Sequence, residues 1–233
     1  MTRPQRVESL WGTLWQTVPS LGRVIRHMRP TWQFASLEAL TPAFLSSENI
    51  RAIIWDVDGT LTAYHAAHLA SSITATLGGL LELPTVRHAV VSNSPESRFR
   101  ALGALLPDMR VVRVYRLDGT LHTRHLHHGV DSMTTEEVAT LIRAGAYALR
   151  KPNAELIGRT LAVLDCPAHQ AVMVGDQYLT DIAGAGMAGV RSIKIAPVAP
   201  SSFPKSLQLA QMAERILYYV RYGRPASTFQ PRP

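Results

Sequence analysis

Four apolar residues, Ala52-Ile53-Ile54-Trp55, run without a polar break into Asp56-Val57-Asp58-Gly59-Thr60. An apolar run with no alternation reads as a strand buried on both faces, the pattern of a parallel sheet covered by helices on each side. Ligands of open α/β sheets sit beyond the carboxyl ends of the strands. Two carboxylates placed there repel each other unless a cation joins them. Mg²⁺ suits such a place, because it takes one or two carboxylates and shares its other positions with water and phosphate. Gly59 allows a sharp turn, and the Thr60 hydroxyl offers a donor to an anion. The blander readings are an ordinary Asp-Gly turn or a calcium loop. A helix–loop–helix calcium site needs Glu at its twelfth position, and counting from Asp56 that position is Ala67.

The chain has 233 residues, of which 46% are hydrophobic and 18% charged, enough for one good-sized core with an appendage. Cys166 is the single cysteine, which excludes an intramolecular disulfide framework and a cysteine zinc cluster. The formal net charge of +7 favours anionic partners: nucleic acid, anionic lipid or phosphorylated small molecules. No apolar run approaches the roughly 20 residues of a membrane span. The N-terminus lacks the apolar core of a secretory signal, so a cytoplasmic protein is expected, peripheral on a membrane if lipid is its partner. Its Arg-rich, acid-poor character is shared by mitochondrial transit peptides.

Three regions are expected. Residues 1–49 form an amphipathic extension and connector. Trp11, Leu14, Trp15, Val18, Leu21, Val24, Ile25 and Met28 recur at steps of three and four, with a kink or break at Pro19. This face either packs on the domain or lies on an anionic membrane surface through residues 1–29. Residues 50–200 alternate strand and helix, with an inserted segment at about 116–145. Buried strands are expected at 52–55, 88–92, 111–115, 171–174 and 190–195, and helices at 66–81, from Pro95 towards Leu106, at 134–149 and through Leu164. Asp118-Gly119 between β-type runs predicts a two-residue hairpin. His122, His125, His127 and His128 follow it and read as solvent- or phosphate-facing. Residues 201–233 hold a last helix with Leu209, Met212, Ala213, Ile216 and Val220 on one side. The fold class is α/β, a doubly wound, mainly parallel sheet with an N-terminal helical extension.

Polar groups stand at three strand ends: Asp56 with Asp58, Ser92 with Asn93, and Asp176. Lys151 opens a helix before the last of these, and Asp181 trails it. Singly, each has an ordinary reading as a cap, a surface lysine or a solvated helix residue. Their joint order resembles the four motifs of haloacid-dehalogenase-type phosphatases over roughly residues 51–195. Pro30 to Leu45, Val91-Ser92-Asn93 and Gly175-Asp176-Gln177-Tyr178-Leu179-Thr180-Asp181 are more narrowly similar to the subfamily IIIA branch, which includes phosphatidylglycerophosphate phosphatases. Gly59 departs from the Asn usual in that branch.

The resemblance implies a Mg²⁺-dependent phosphomonoester hydrolase. Asp56 would be the nucleophile of an aspartyl-phosphate mechanism and Asp58 the general acid and base. Asp56, Asp58 (through its carbonyl), Asp176 and Asp181 would hold the metal. Thr60, Ser92, Asn93 and Lys151 would bind the phosphoryl group. The implied partner is a phosphorylated substrate, with a lipid phosphate first and a soluble sugar or nucleotide phosphate second. A basic nucleic-acid- or protein-binding module on the same scaffold is the reading from another class, although no dedicated nucleic-acid motif is present.

Overall fold

The computed structural model describes residues 21–223. Trp11, Leu14, Trp15, Val18 and Pro19 lie outside the described residues.

The long apolar runs pair as parallel strands. β2 (Ala52–Trp55) is flanked by β3 (Arg87–Val90) and β8 (Ala171–Gly175), all in parallel register. β9 (Arg191–Ile195) lies parallel outside β8. Every residue of β2 and β8 is buried, as a strand covered on both faces requires. With β1 (Trp32–Phe34), β4 (Arg110–Leu117), β5 (Thr120–His127) and β6 (Val130–Asp131), the sheet order is β1-β9-β8-β2-β3-β4-β5-β6, which puts β2 in the interior. One core layer gathers Ile53, Trp55, Val172 and Val174 with Phe34, Phe44 and Leu77. The other gathers Ile54, Ala89, Val114 and Met173 with Leu156 and Ile157. The two sides of each strand therefore feed separate helical layers, the doubly wound arrangement.

β4 (Arg110–Leu117) joins β3 in parallel, then turns through Asp118-Gly119 into antiparallel β5 (Thr120–His127). Asp118 and Gly119 have φ of 47° and 83°, the left-handed pair that a tight two-residue hairpin demands. β6 (Val130–Asp131) pairs with β5, so this part of the chain extends the sheet edge.

Helix α1 (Leu21–Arg26) buries Val24, and Met28 just beyond it, against Tyr178, Ile182, Ala183 and Tyr218. Helix α2 (Pro42–Ser47) starts at Pro42, with the Thr41 hydroxyl accepting from Phe44 N. Helix α3 (Ser71–Leu81) begins later than the expected residue 66, because 66–70 is a loop in which Ala70 N donates to Leu61 O. Helix α4 (Phe99–Leu105) follows Pro95 and a 3₁₀ turn at Glu96–Arg98. Helix α5 (Thr135–Arg143) ends short of the expected residue 149. Gly145 at φ 98° turns the chain, and β7 (Tyr147–Ala148) pairs with β4 instead. Helix α6 (Ala154–Leu164) is capped by Asn153, whose side chain accepts from Glu155 N and Leu156 N. Helix α7 (Ala183–Met187) follows a π-helical turn at Tyr178–Ile182. Helix α8 (Lys205–Tyr222) closes the described chain. β1 (Trp32–Phe34), parallel to β9, was not expected, since three residues are too short to show alternation.

Candidate active site

β2 ends at Trp55, and Asp56 is the first residue past it, with its N–H still donating to Val174 O on β8. That bond holds Asp56 in the crevice between two parallel strands. Asp176 follows the end of β8 in the same way. The π-helical turn then returns Asp181 towards it, and Gln177 N donates to Asp181 Oδ2 at 3.0 Å. A Cβ on Gly175 would stand 2.4 Å from Asp181 side-chain atoms, so only glycine lets this carboxylate lie against the strand end.

Asp56, Asp176 and Asp181 are buried and each offers one carboxylate oxygen within 4.8 Å of the others. Lys151, buried at the start of the segment before α6, donates to Asp56 Oδ1 and, at 2.8 Å, pairs with Asp181 Oδ1. Burial opposes the lysine's charge, but Asp181 and Asp56 outweigh it and hold its pKa above the usual value. Burial pushes Asp56 up to about 7, against the pull of the Lys151 ammonium. Burial, with Asp56 and Asp181 nearby, raises Asp176 well above an ordinary carboxylate. Asp56 and Asp181 thus share the Lys151 ammonium, while the cation acting on Asp176 is the buried Lys194.

A divalent cation fits this donor set. Asp176 Oδ2 accepts from Gln211 Nε2 at 3.1 Å, whereas Asp176 Oδ1 is buried without a hydrogen-bond partner. A buried carboxylate oxygen with no donor is costly, and a hard cation held with Asp56 and Asp181 would satisfy it.

The other sequence candidates are placed as follows. Thr60 Oγ1 donates to Asp56 Oδ2 at 3.3 Å. Half-buried Ser92 accepts from Ser94 N through its hydroxyl. Asn93 spends its amide on the backbone of Lys151, accepting from Lys151 N at 2.8 Å and donating to Lys151 O at 3.1 Å. It therefore fixes the lysine's backbone, and its amide is already engaged. The Asp58 side chain is outside the carboxylate cluster. Its Oδ1 accepts from His65 N at 2.7 Å and its Oδ2 is paired with Arg98.

Arg98, Gln211 and Glu214 were missed by sequence reasoning. Arg98 also donates to Ala66 O, and it opens onto a cleft of about 410 Å³ lined by His65, Ala66, Ala67, Ala101 and Leu105. Its loop is anchored by Glu96, which accepts from Arg113, Tyr115 and Arg124 of the β4–β5 hairpin. Glu214 of α8 accepts from Tyr178 N and Leu179 N, both at 3.1 Å, and so holds the turn that carries Asp181. No local signal marks these residues, because each partner lies at least 32 positions away in sequence.

A family model described as HAD-hydrolase-like matches residues 148–196, the span holding Lys151, Asp176 and Asp181. The chain is 27% identical over 173 residues to phosphatidylglycerophosphate phosphatase 1, chloroplastic, of Chlamydomonas reinhardtii, covering 73% of this chain and 53% of that protein. It therefore spans about half the length of that relative. It is 23% identical over 162 residues to the probable phosphatase YqeG of Bacillus subtilis (strain 168), covering 70% and 73% of the two chains. A shorter stretch, 35% identical over 60 residues, matches haloacid dehalogenase-like hydrolase domain-containing protein 3 of Xenopus laevis, with 26% of this chain and 25% of that protein covered. The parallel sheet, the acids at its strand ends and these relatives agree: the chain is similar to haloacid-dehalogenase-like hydrolases, phosphatases among them.

Proposed function

We propose that this chain hydrolyses a phosphomonoester by nucleophilic attack of Asp56, with Mg²⁺ held by Asp56, Asp176 and Asp181. The observation that carries the reading is the gathering of those three buried carboxylates, two of them paired with Lys151, with one Asp176 oxygen unpartnered. An Asp56 oxygen forms a bond to phosphorus as the bond to the leaving oxygen breaks. Asp58, two residues further on, delivers the proton to that oxygen and later takes one from the water that attacks phosphorus. That second attack breaks the Asp56–phosphorus bond and releases inorganic phosphate. Lys151 stays charged and balances the phosphoryl oxygens, while Asn93 and the Thr60 hydroxyl keep the lysine and the nucleophile in place. Mg²⁺, when bound, supplies a compact positive charge that offsets repulsion between the carboxylates and the phosphate.

The substrate we favour is a lipid phosphate of the phosphatidylglycerophosphate kind, met at a membrane surface. Support comes from the name of the Chlamydomonas relative and from the net charge of +7. Among the described residues no helix is long and apolar enough to cross a membrane.

A panel of lipid and soluble phosphomonoesters, each assayed with Mg²⁺ and with excess EDTA, tests the reading. Turnover that needs Mg²⁺, is highest on the lipid phosphate and vanishes in Asp56→Asn is expected. Full activity in EDTA, or an active Asp56→Asn protein, overturns the mechanism. A soluble phosphate preferred over every lipid overturns the substrate.

A further inference from the structure

Helix α8 is turned the opposite way from what its apolar pattern predicts. Leu209, Met212, Ile216, Tyr219 and Val220 recur at steps of three, four, three and one, and all face solvent, with Val220 75% exposed. The face turned inward carries Leu207, Gln211, Glu214 and Tyr218. Its two polar members are consumed by the site, Gln211 on Asp176 and Glu214 on the backbone of Tyr178 and Leu179. The helix is thus docked by Leu207 and Tyr218, the latter stacked on Tyr178, together with the bonds of Gln211 and Glu214, and its apolar stripe is left outside. Such a stripe on an otherwise polar surface marks an interaction face.

The charge beside the stripe says what it fits. Lys205, Arg215 and Arg221 are exposed on α8. Helix α1 lies alongside, tied by Tyr222 Oη donating to Ile25 O at 2.6 Å, and it adds exposed Arg23 and Arg26, with Arg29 just after it. Across residues 21–29 and 205–222 the single carboxylate is Glu214, and it is buried. A second copy of this surface would bring six cations against six, which disfavours self-association. An amphipathic helix with exposed apolar residues and flanking Lys and Arg instead suits an anionic bilayer surface, with the apolar stripe at the headgroup boundary.

We propose that the outward face of α8, flanked by the cations of α1, seats the protein on an anionic lipid surface. This deepens the lipid-phosphatase reading by naming the docking face. The part of residues 1–29 that is described contributes its arginines, while Val24 and Met28 are inside the protein.

Sedimentation of the full-length protein with vesicles tests the proposal without any turnover, so inactivity towards every phosphomonoester would leave the result standing. The vesicles are phosphatidylcholine alone, or phosphatidylcholine with about one third phosphatidylglycerol, at low salt. The wild type is expected to pellet with the anionic vesicles. Ile216→Asp/Val220→Asp, and separately Arg215→Glu/Arg221→Glu, are expected to bind roughly ten-fold or more weakly, with unchanged circular dichroism. Wild-type protein that ignores anionic vesicles overturns the proposal. So does undiminished binding by both folded variants. A wild type that sediments as a dimer in the ultracentrifuge and becomes monomeric in the apolar-face variant also overturns it, making the stripe an interface between copies.

Discussion

Gln211 donates its side-chain amide to Oδ2 of Asp176 at 3.1 Å, and the other oxygen of that carboxylate has no partner. A residue of the last helix therefore decides which oxygen of Asp176 is left for a cation. Residues that orient metal ligands from outside commonly change metal affinity 10- to 100-fold when removed. Gln211→Leu is expected to raise the Mg²⁺ concentration for half-maximal activity about ten-fold. Calorimetric titration of Mg²⁺ should show the same weakening without substrate. Unchanged Mg²⁺ affinity in a folded Gln211→Leu protein would reduce the contact to packing.

Arg98 sits on Asp58 from a loop forty positions along the chain. The guanidinium and the His65 N–H together fix the carboxylate that the mechanism uses for proton transfer. Asp58→Asn is expected to lower kcat by about 10²–10⁴. Arg98→Ala leaves the carboxyl group in place but loosely held, so a smaller loss of about ten-fold is expected, in kcat more than in KM. A loss as deep as that of Asp58→Asn would instead mean that Arg98 itself touches the reacting group.

Gly59 has φ 89°, and a Cβ there would stand 2.5 Å from Phe203 Cζ and 2.7 Å from Asp176 Oδ2. The backbone conformation and the close approach both require glycine. Its carbonyl accepts from Val198 N at 2.7 Å, which ties the turn after Asp58 to the segment leading into α8. Gly59→Ala is expected to destabilise the fold by about 1–3 kcal/mol and to weaken Mg²⁺ binding by displacing Asp176. Denaturant unfolding and the Mg²⁺ titration read the two effects separately. A variant with wild-type midpoint and affinity would show that the turn relaxes freely.

The inner sheet was legible because β2 and β8 are apolar runs of the length a doubly covered strand needs. The acids at their ends were legible because order along the chain maps onto one edge of a parallel sheet. The β4–β5 hairpin was written in Asp118-Gly119, whose positive φ angles few other pairs accept. What escaped depended on distant pairing. The face of α8 with the strongest apolar pattern is the exposed one, since Gln211 and Glu214 find partners at Asp176, Tyr178 and Leu179 that periodicity cannot see. Arg98, and Asn93 as an anchor of Lys151 where a phosphoryl contact was expected, were similarly opaque. One is a loop arginine whose partner is 40 positions away, and the other spends its amide on the backbone of Lys151, 58 positions away.

His88 is a buried histidine in the middle of the sheet, stacked on Trp55 and accepting from Trp55 Nε1 through Nδ1 at 3.1 Å. Burial pushes its pKa down from 6.5 to about 4. Between those values the unfolded chain binds a proton that the folded protein refuses. Stability therefore rises with pH across that window, and falls as pH drops below 6.5. The loss from this group is about 2 kcal/mol at pH 5 and approaches roughly 3 kcal/mol below pH 4. Glu214, raised to about 7 by burial despite the N–H groups of Leu179 and Tyr178, contributes with the opposite sign. The wild-type curve alone therefore does not isolate His88. His88→Gln retains an acceptor for Trp55 Nε1 but does not titrate. Urea unfolding of both proteins from pH 7 to pH 4.5 should show the wild type losing about 2 kcal/mol more than His88→Gln by pH 5. Parallel curves would mean that His88 takes up its proton inside the folded sheet.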